Sequence, residues 1–137
     1  MARLPTIPEE SLKHLYLVRH GETTWNRSNR IQGHRDPPLS PTGRRQVLAT
    51  ARHVRGQGIE RIFSSDLRRA LETARLVQRT VRVPITVIPT LREIDLGRWE
   101  GLTPDQVNHR FRNGYAKWMA SPSSVRIAGA EPHAAFQ

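Results

Sequence analysis

The amino-acid sequence predicts an α/β fold with a mainly parallel sheet and flanking helices. Short apolar segments typical of strands alternate with longer segments whose apolar residues recur at helical spacing. Proline and glycine residues separate these segments. The 137 residues suit one domain and include no Cys, so the core is expected to form without disulfides. The absence of Cys also excludes thiolate metal sites and cysteine nucleophiles.

The chain begins with residues 1–12, which we predict to be a loose extension before a domain at 13–137. Residues 14–19 contain the longest unbroken apolar run and are predicted to form a buried first strand. Residues 20–39 show neither a helical nor a strand period. A loop of that length inside a compact domain is often functional.

Local signals predict the later elements. Ser40 followed by Pro41 indicates a helix with Ser40 as its N-cap, and Gly56 ends it. The apolar stripe of this helix comprises Val47, Leu48, Ala51 and Val54. The remaining elements are a strand at 61–64, a helix capped by Ser65 or Asp66, a strand at 85–88, a capping-box helix from Thr103 to about Arg112, a short helix at 115–119 and a first helical turn within 131–137.

The charge balance indicates which chemical class of binding partner the protein favours. There are 22 Lys and Arg against 12 Asp and Glu, giving a formal net charge of +10, which favours anionic partners. The Arg residues are dispersed and only 6% of residues are aromatic, which disfavours a nucleic-acid stacking platform. The sequence has neither an apolar run long enough to span a membrane nor a secretory signal, so we expect a cytoplasmic protein that does not bind membranes.

Charged side chains follow each predicted strand, where ligands bind in parallel sheets. His20 follows the first strand, Arg68 and Arg69 the second, and Glu93 the third. An imidazole can attack phosphorus, guanidinium groups can stabilise the phosphoryl oxygens, and a carboxylic acid can protonate the leaving group. The alternative is that His20 is a structural histidine and that Glu93 pairs with a neighbouring Arg.

Four blocks of sequence resemble the histidine phosphatase superfamily, also called the phosphoglycerate-mutase-like family. The run LVRHGETTWN at 17–26 matches its signature, followed by QG at 32–33, SSDLRRA at 64–70 and LREIDLG at 91–97. The resemblance implies a three-layer sandwich around a parallel sheet. It covers the chain from residue 13 onward but only about two-thirds of the family's pattern.

The resemblance also implies a set of site residues and needs no metal or organic cofactor. It makes His20 the phosphorylated nucleophile and Glu93 the proton donor. The implied phosphate- or substrate-binding residues are Arg19, Asn26, Gln32, Gly33 and Arg69, which leaves Arg68 at the surface.

Details after Glu93 favour the phosphatases of this family. Leu96 stands where the mutases usually carry Tyr, and residues 97–101 are similar to the broad-specificity and α-ribazole phosphatases. We therefore expect a phosphomonoesterase that acts through phosphohistidine on a small phosphorylated metabolite. The alternatives are mutase-type phosphoryl transfer and a non-catalytic protein that binds phosphate or polyanions.

One part of the family's pattern is missing. The family's second active-site His lies in a His-Gly context after a later strand, whereas His133 is followed by Ala134. We therefore expect a fold that is incomplete at its C-terminus, weak phosphate binding and poor turnover. The unpaired sheet edge would favour association between copies of the chain.

Overall fold

The computed structural model describes residues 14–135. Two strands alternate with helices in the middle of this range, and further helices precede and follow them. They are α1 (Thr24–Arg27), α2 (Pro41–Val54), β1 (Ile62–Ser64), α3 (Arg68–Val81), β2 (Ile85–Val87), α4 (Pro104–Arg110) and α5 (Gly114–Ala120). Short 3₁₀ turns occupy Pro89–Leu91, Gly97–Trp99, Pro122–Ser124 and His133–Ala135.

The sheet places the loops that follow its two strands at one edge. β1 and β2 pair in parallel, with Ile62 opposite Ile85 and Ser64 opposite Val87. Helix α3 connects the two strands, so their carboxyl ends share an edge of the sheet. The predicted parallel α/β class is confirmed, and the strands predicted at 61–64 and 85–88 are each one residue shorter.

A cluster of buried apolar residues packs at α2 and α3. It comprises Leu39, Val47, Ala51, Val54 and Val77. The helical period thus identified the buried face of α2, except that Leu48 is 41% exposed. None of the helices within residues 14–135 is both long enough and apolar enough to cross a membrane.

The capping signals predicted for the helices after Ser40 and Thr103 are confirmed. Ser40 Oγ accepts a hydrogen bond from Gly43 N at 2.9 Å at the start of α2. At α4, Thr103 Oγ1 accepts from Gln106 N and Gln106 Oε1 accepts from Thr103 N. Helix α4 ends at Arg110 rather than Arg112, because Arg112 and the next residue have the positive φ of left-handed backbone.

The prediction of a buried first strand at 14–19 is wrong. These residues have no regular secondary structure, pair with no strand among those described, and are exposed: Leu15 by 71% and Leu17 by 89%. An apolar run predicts a strand only if a neighbouring strand accepts its backbone hydrogen bonds. In residues 14–135 the sheet consists of β1 and β2 alone, and neither strand pairs with this segment.

The N-cap predicted for the helix after β1 is also wrong. Helix α3 begins after Leu67, which provides no side-chain cap. The carboxylate of Asp36, from the loop before α2, instead accepts from the backbone N–H groups of Arg68 and Arg69. Asp66 is engaged elsewhere, since its carboxylate pairs with the Arg92 guanidinium. The cap is therefore a tertiary contact.

Two further predictions need correction, and one lies outside the described residues. The segment 20–39 contains the short helix α1, which Thr23 and Asn26 hold in a reciprocal capping box. The turn predicted within 131–137 is a 3₁₀ turn at His133–Ala135. The extension predicted at 1–12 falls outside the described residues.

Candidate active site

An open cavity of about 410 Å³ lies where the loops after the two strands meet the segment around His20. Six of the seven predicted site residues line it: Arg19, His20, Gln32, Gly33, Arg69 and Glu93. Its lining also includes side chains that sequence reasoning did not single out: Arg30, Pro104, Tyr115 and Trp118. The structure thus brings the cations, the imidazole and the carboxylate to one cavity.

The hydrogen bond of His20 determines which ring nitrogen is free. Nδ1 lies 2.8 Å from the Gly21 carbonyl oxygen. Because a carbonyl oxygen only accepts, Nδ1 must carry the proton, and in the neutral ring Nε2 holds the free lone pair. The local fold therefore leaves Nε2 as the ring nitrogen with a free lone pair.

A buried hydroxyl joins the segment that contains His20 to α3. Gly21 N donates to Thr73 Oγ1 at 3.2 Å, and the same hydroxyl donates to the Arg69 carbonyl oxygen at 2.8 Å. Thr73 lies one helical turn after Arg69 and is 5% exposed. This link fixes the residue next to His20 against the helix that supplies Arg69.

The surroundings of His20 favour its neutral form. Partial burial lowers the pKa of His20 below its ordinary value of 6.5, and the charges of Arg69 and Arg19 lower it further. The hydrogen bond to Gly21 and the carboxylate of Glu93 act in the opposite direction. The imidazole is therefore unprotonated near neutral pH, as a nucleophile must be.

The lowered pKa of His20 predicts a pH dependence. In a titration followed by NMR of its imidazole Cε1–H, we expect the His20 midpoint below 6.5. The unfolded chain then binds more protons than the native chain between the native pKa and 6.5. The contribution of His20 to the pH dependence is therefore that stability rises with pH through this window. A midpoint above 6.5 would contradict this description of the site.

Arg69 is the buried cation of the cavity. It is 2% exposed, and its NH2 donates to the Gly33 carbonyl at 2.8 Å while NH1 donates to the Arg35 carbonyl at 3.2 Å. The Asp36 carboxylate lies 3.6 Å from NH1. The neighbouring Arg68 is exposed, as the resemblance implied. The guanidinium of Arg69 is thus held in one orientation by the loop before α2.

Glu93 is not engaged in the ion pair considered as its alternative role. Its Oε1 accepts from Ile94 N at 3.1 Å, and its side chain is exposed at the cavity. Arg92 pairs with Asp66 instead of Glu93. His34, which sequence reasoning did not place here, donates from Nε2 to the Glu93 carbonyl at 2.8 Å. The loop of Glu93 is therefore anchored while its carboxylate faces the cavity.

The turn at Gln32 and Gly33 also faces the cavity. The Gln32 side-chain oxygen accepts from Thr23 Oγ1 at 2.8 Å, which orients the amide and leaves its nitrogen as a donor for a ligand. Gly33 has a φ of +53°, and a Cβ there would overlap the Glu100 carboxylate. Only glycine suits this position without strain.

Asn26 is the predicted residue that the structure does not bring to the cavity. It is absent from the lining residues, and its Oδ1 accepts from the backbone N–H of Thr23 at 2.9 Å. In this arrangement its side chain serves the start of α1. A substrate-binding role for Asn26 stays a prediction.

Glu100 is a site-supporting residue that sequence reasoning missed. Its carboxylate is buried and accepts backbone hydrogen bonds from two separate loops. The sequence signal was the acidic residue within 97–101, but nothing local indicates which backbone groups it meets. Within residues 14–135, no group of three or more His, Asp or Glu side chains is arranged to hold a metal ion.

Comparison with known proteins identifies the family and the fold. A model of the histidine phosphatase superfamily (branch 1) matches residues 15–137. A Yersinia pestis (strain Pestoides F) protein named probable phosphoglycerate mutase GpmB is 44% identical over 101 residues, which are 70% of this chain and 47% of that protein.

Two solved structures share the fold. YhfR from Bacillus stearothermophilus superposes with a TM-score of 0.80 at 34% identity, over 87% of this chain and 59% of that one. A mycobacterial glucosyl-3-phosphoglycerate phosphatase in complex with VO₃ gives a TM-score of 0.76 at 34% identity, over 82% of this chain and 54% of that one. The chain spans about half the length of the curated relative it matches. With the family model matching nearly all of the described residues, the chain belongs to the histidine phosphatase superfamily, branch 1.

Proposed function

We propose that the chain carries the nucleophile, phosphate-binding arginines and proton donor of a phosphomonoester hydrolase for a small phosphorylated metabolite. The observation that carries this proposal is the hydrogen bond from His20 Nδ1 to the Gly21 carbonyl. It leaves Nε2 as the free nitrogen in a cavity that also contains Arg19, Arg69 and Glu93.

The first chemical step is transfer of the phosphoryl group to His20. The Nε2 lone pair forms a bond to phosphorus as the ester P–O bond breaks, and the leaving oxygen takes the proton of the Glu93 carboxylic acid. Arg19 and Arg69 stabilise the charge on the phosphoryl oxygens, and Gln32 and the Gly33 turn contact the substrate.

The second step regenerates the enzyme. The Glu93 carboxylate accepts a proton from water while the water oxygen bonds to phosphorus and the P–N bond breaks. Inorganic phosphate leaves, and Glu93 is again the acid. The open side of the cavity gives water access to the phosphohistidine.

A mutase-type reaction is the second candidate. It is favoured by the 44% identity to the Yersinia protein named probable phosphoglycerate mutase. The two reactions share the phosphohistidine and differ in what accepts the phosphoryl group. Leu96, which lines the cavity where mutases usually carry Tyr, supports the hydrolase.

The proposal predicts a covalent intermediate on His20. Incubation with p-nitrophenyl [³²P]phosphate is expected to give an acid-labile, alkali-stable label on the chain, because phosphorus bound to an imidazole nitrogen is hydrolysed by acid. His20→Ala removes the nucleophile and should abolish the label. The label is measured after denaturation, on a gel run at alkaline pH.

His53→Ala is the matched control, since it removes an exposed histidine from α2 and should leave the label unchanged. Loss of the label to water supports the hydrolase, whereas transfer to added 3-phosphoglycerate supports the mutase. If neither protein is labelled and both bind inorganic phosphate equally, the chain is a non-catalytic phosphate-binding protein and the proposal is wrong.

A further inference from the structure

We propose that Glu100 is a positioning residue that holds the Arg69 guanidinium in its phosphate-binding orientation. This inference rests on the proposed function, because it assigns Arg69 to the phosphate. Glu100 is not among the residues that line the cavity. It acts through the loop that contains Gly33 and Arg35.

The carboxylate of Glu100 is buried and fully engaged by backbone donors. It is 8% exposed. Oε1 accepts from His34 N at 2.7 Å and from Leu96 N at 3.0 Å, and Oε2 accepts from Arg35 N at 2.8 Å. In residues 14–135 it forms no ion pair with Arg, Lys or His. A buried carboxylate with this many N–H partners orders the segments that supply them.

The same loop connects the carboxylate to Arg69. Its N–H groups at His34 and Arg35 point to Glu100, while its carbonyls at Gly33 and Arg35 accept from the Arg69 guanidinium. The Glu100 carboxylate holds the N–H groups of this loop on one side. The loop carbonyls on the opposite side are thereby oriented toward the Arg69 guanidinium. Gly33 permits the approach, because a Cβ there would overlap the carboxylate.

The hydrogen bond from Leu96 N to Glu100 also connects the loop of Glu93, the proposed proton donor, to the same carboxylate. Leu96 follows Glu93 in the loop after β2, and its N–H shares Oε1 with that of His34. One oxygen thus joins the loop of the proton donor to the loop that orients the phosphate-binding cation. Loss of this junction is expected to affect phosphate binding while the helices remain.

Glu100→Gln tests the proposal, because a positioning role and a purely electrostatic role of Glu100 predict opposite changes in phosphate affinity. Glutamine has nearly the shape of Glu, but its NH₂ group would oppose the backbone N–H of Arg35 or those of the other two donors. A positioning role predicts that the affinity for inorganic phosphate falls about 10- to 100-fold. If Glu100 acts only as a negative charge near Arg69, its removal should tighten the binding of an anion.

The matched control is Glu72→Gln, which removes the same charge from a carboxylate that pairs with Arg44 on α2. Phosphate affinity is measured by calorimetric titration of the whole chain, and thermal unfolding is recorded for each variant. We expect the control to bind phosphate as the parent chain does. Equal or tighter phosphate binding by Glu100→Gln would overturn the proposal, as would an equal loss in both variants.

A second measurement does not depend on phosphate binding. The NMR signal of the Arg69 Nε–Hε group is expected to broaden or shift in Glu100→Gln and to stay unchanged in Glu72→Gln. An unchanged Arg69 signal in Glu100→Gln would overturn the positioning role. A parent chain that shows the Arg69 signal but binds no phosphate would instead contradict the proposed function.

Discussion

Arg69→Met is expected to weaken the binding of inorganic phosphate by about 100-fold or more, which corresponds to about 2.7 kcal/mol. Arg69 is almost fully buried and has two of its nitrogens oriented by loop carbonyls. Charge-assisted hydrogen bonds in a partly dry site are stronger than those of exposed cations, and no other buried cation lines the cavity within residues 14–135. The affinity is measured by calorimetric or NMR titration.

Arg68→Met is the matched control, because it makes the same chemical change one residue earlier on an exposed side chain. Its phosphate affinity should stay within about twofold of the parent chain and its stability within about 0.5 kcal/mol. In Arg69→Met the carbonyls of Gly33 and Arg35 lose their donor, so the free energy of unfolding should fall by about 1–3 kcal/mol. An equal loss of phosphate binding in both variants would show that only net charge matters.

Gly43→Ala is expected to lower the free energy of unfolding by about 2–3 kcal/mol. Gly43 is buried in the first turn of α2, and a Cβ there would overlap backbone atoms of Glu22. Neither backbone can move freely, because Ser40 N donates to the Glu22 carbonyl at 2.8 Å. The steric cost should exceed the gain of about 1 kcal/mol that Ala brings to a helix. Urea unfolding followed by circular dichroism measures the difference.

Gly56→Ala separates this steric effect from the cost of backbone conformation. Gly56 has a φ of +79°, and a Cβ added there would meet no heavy atom within 4 Å. Only the left-handed backbone is therefore penalised, by about 1 kcal/mol. A Gly43→Ala chain as stable as the parent would show that α2 does not pack against the segment next to His20. That result would also remove the structural reason for the position of His20.

Much of the fold was predictable because its signals are local. Ser40 and the Thr103–Gln106 pair cap their helices through residues three positions apart, which a sequence displays directly. The apolar stripe of α2 and the breaks around β1 and β2 are local as well. Elements of this kind follow from the chemistry of neighbouring residues, so their ends were correct to within about two residues.

The errors arose where the outcome depends on a distant part of the chain. Residues 14–19 have the composition of a strand, but a strand also needs a partner for its backbone, and composition does not provide one. Asp66 is a suitable cap by position, yet Arg92 engages it and Asp36 takes its place. Neither exchange is visible in the local sequence.

The residues of the candidate site also fall into those that local sequence reveals and those that depend on distant parts of the chain. His20, Arg69 and Glu93 were singled out because they follow apolar segments and match family blocks, and they line one cavity. Glu100 lay inside a matched block but had no assigned role, since its partners are backbone N–H groups up to 66 residues away. Residues that act through the backbone of other loops are the part of a site that side-chain patterns do not reveal.

The contact between Asp36 and the start of α3 has a consequence for the folding pathway. The partners are separated by 32 residues, so the first turn of α3 gains its cap only after that stretch of chain has closed. Closure of such a loop costs entropy before the contact repays it. We expect the amino end of α3 to become ordered late, in the same event that brings the Gly33 and Arg35 carbonyls to Arg69. Arg69, the proposed phosphate-binding residue, is then set in place only when the surrounding fold is already closed.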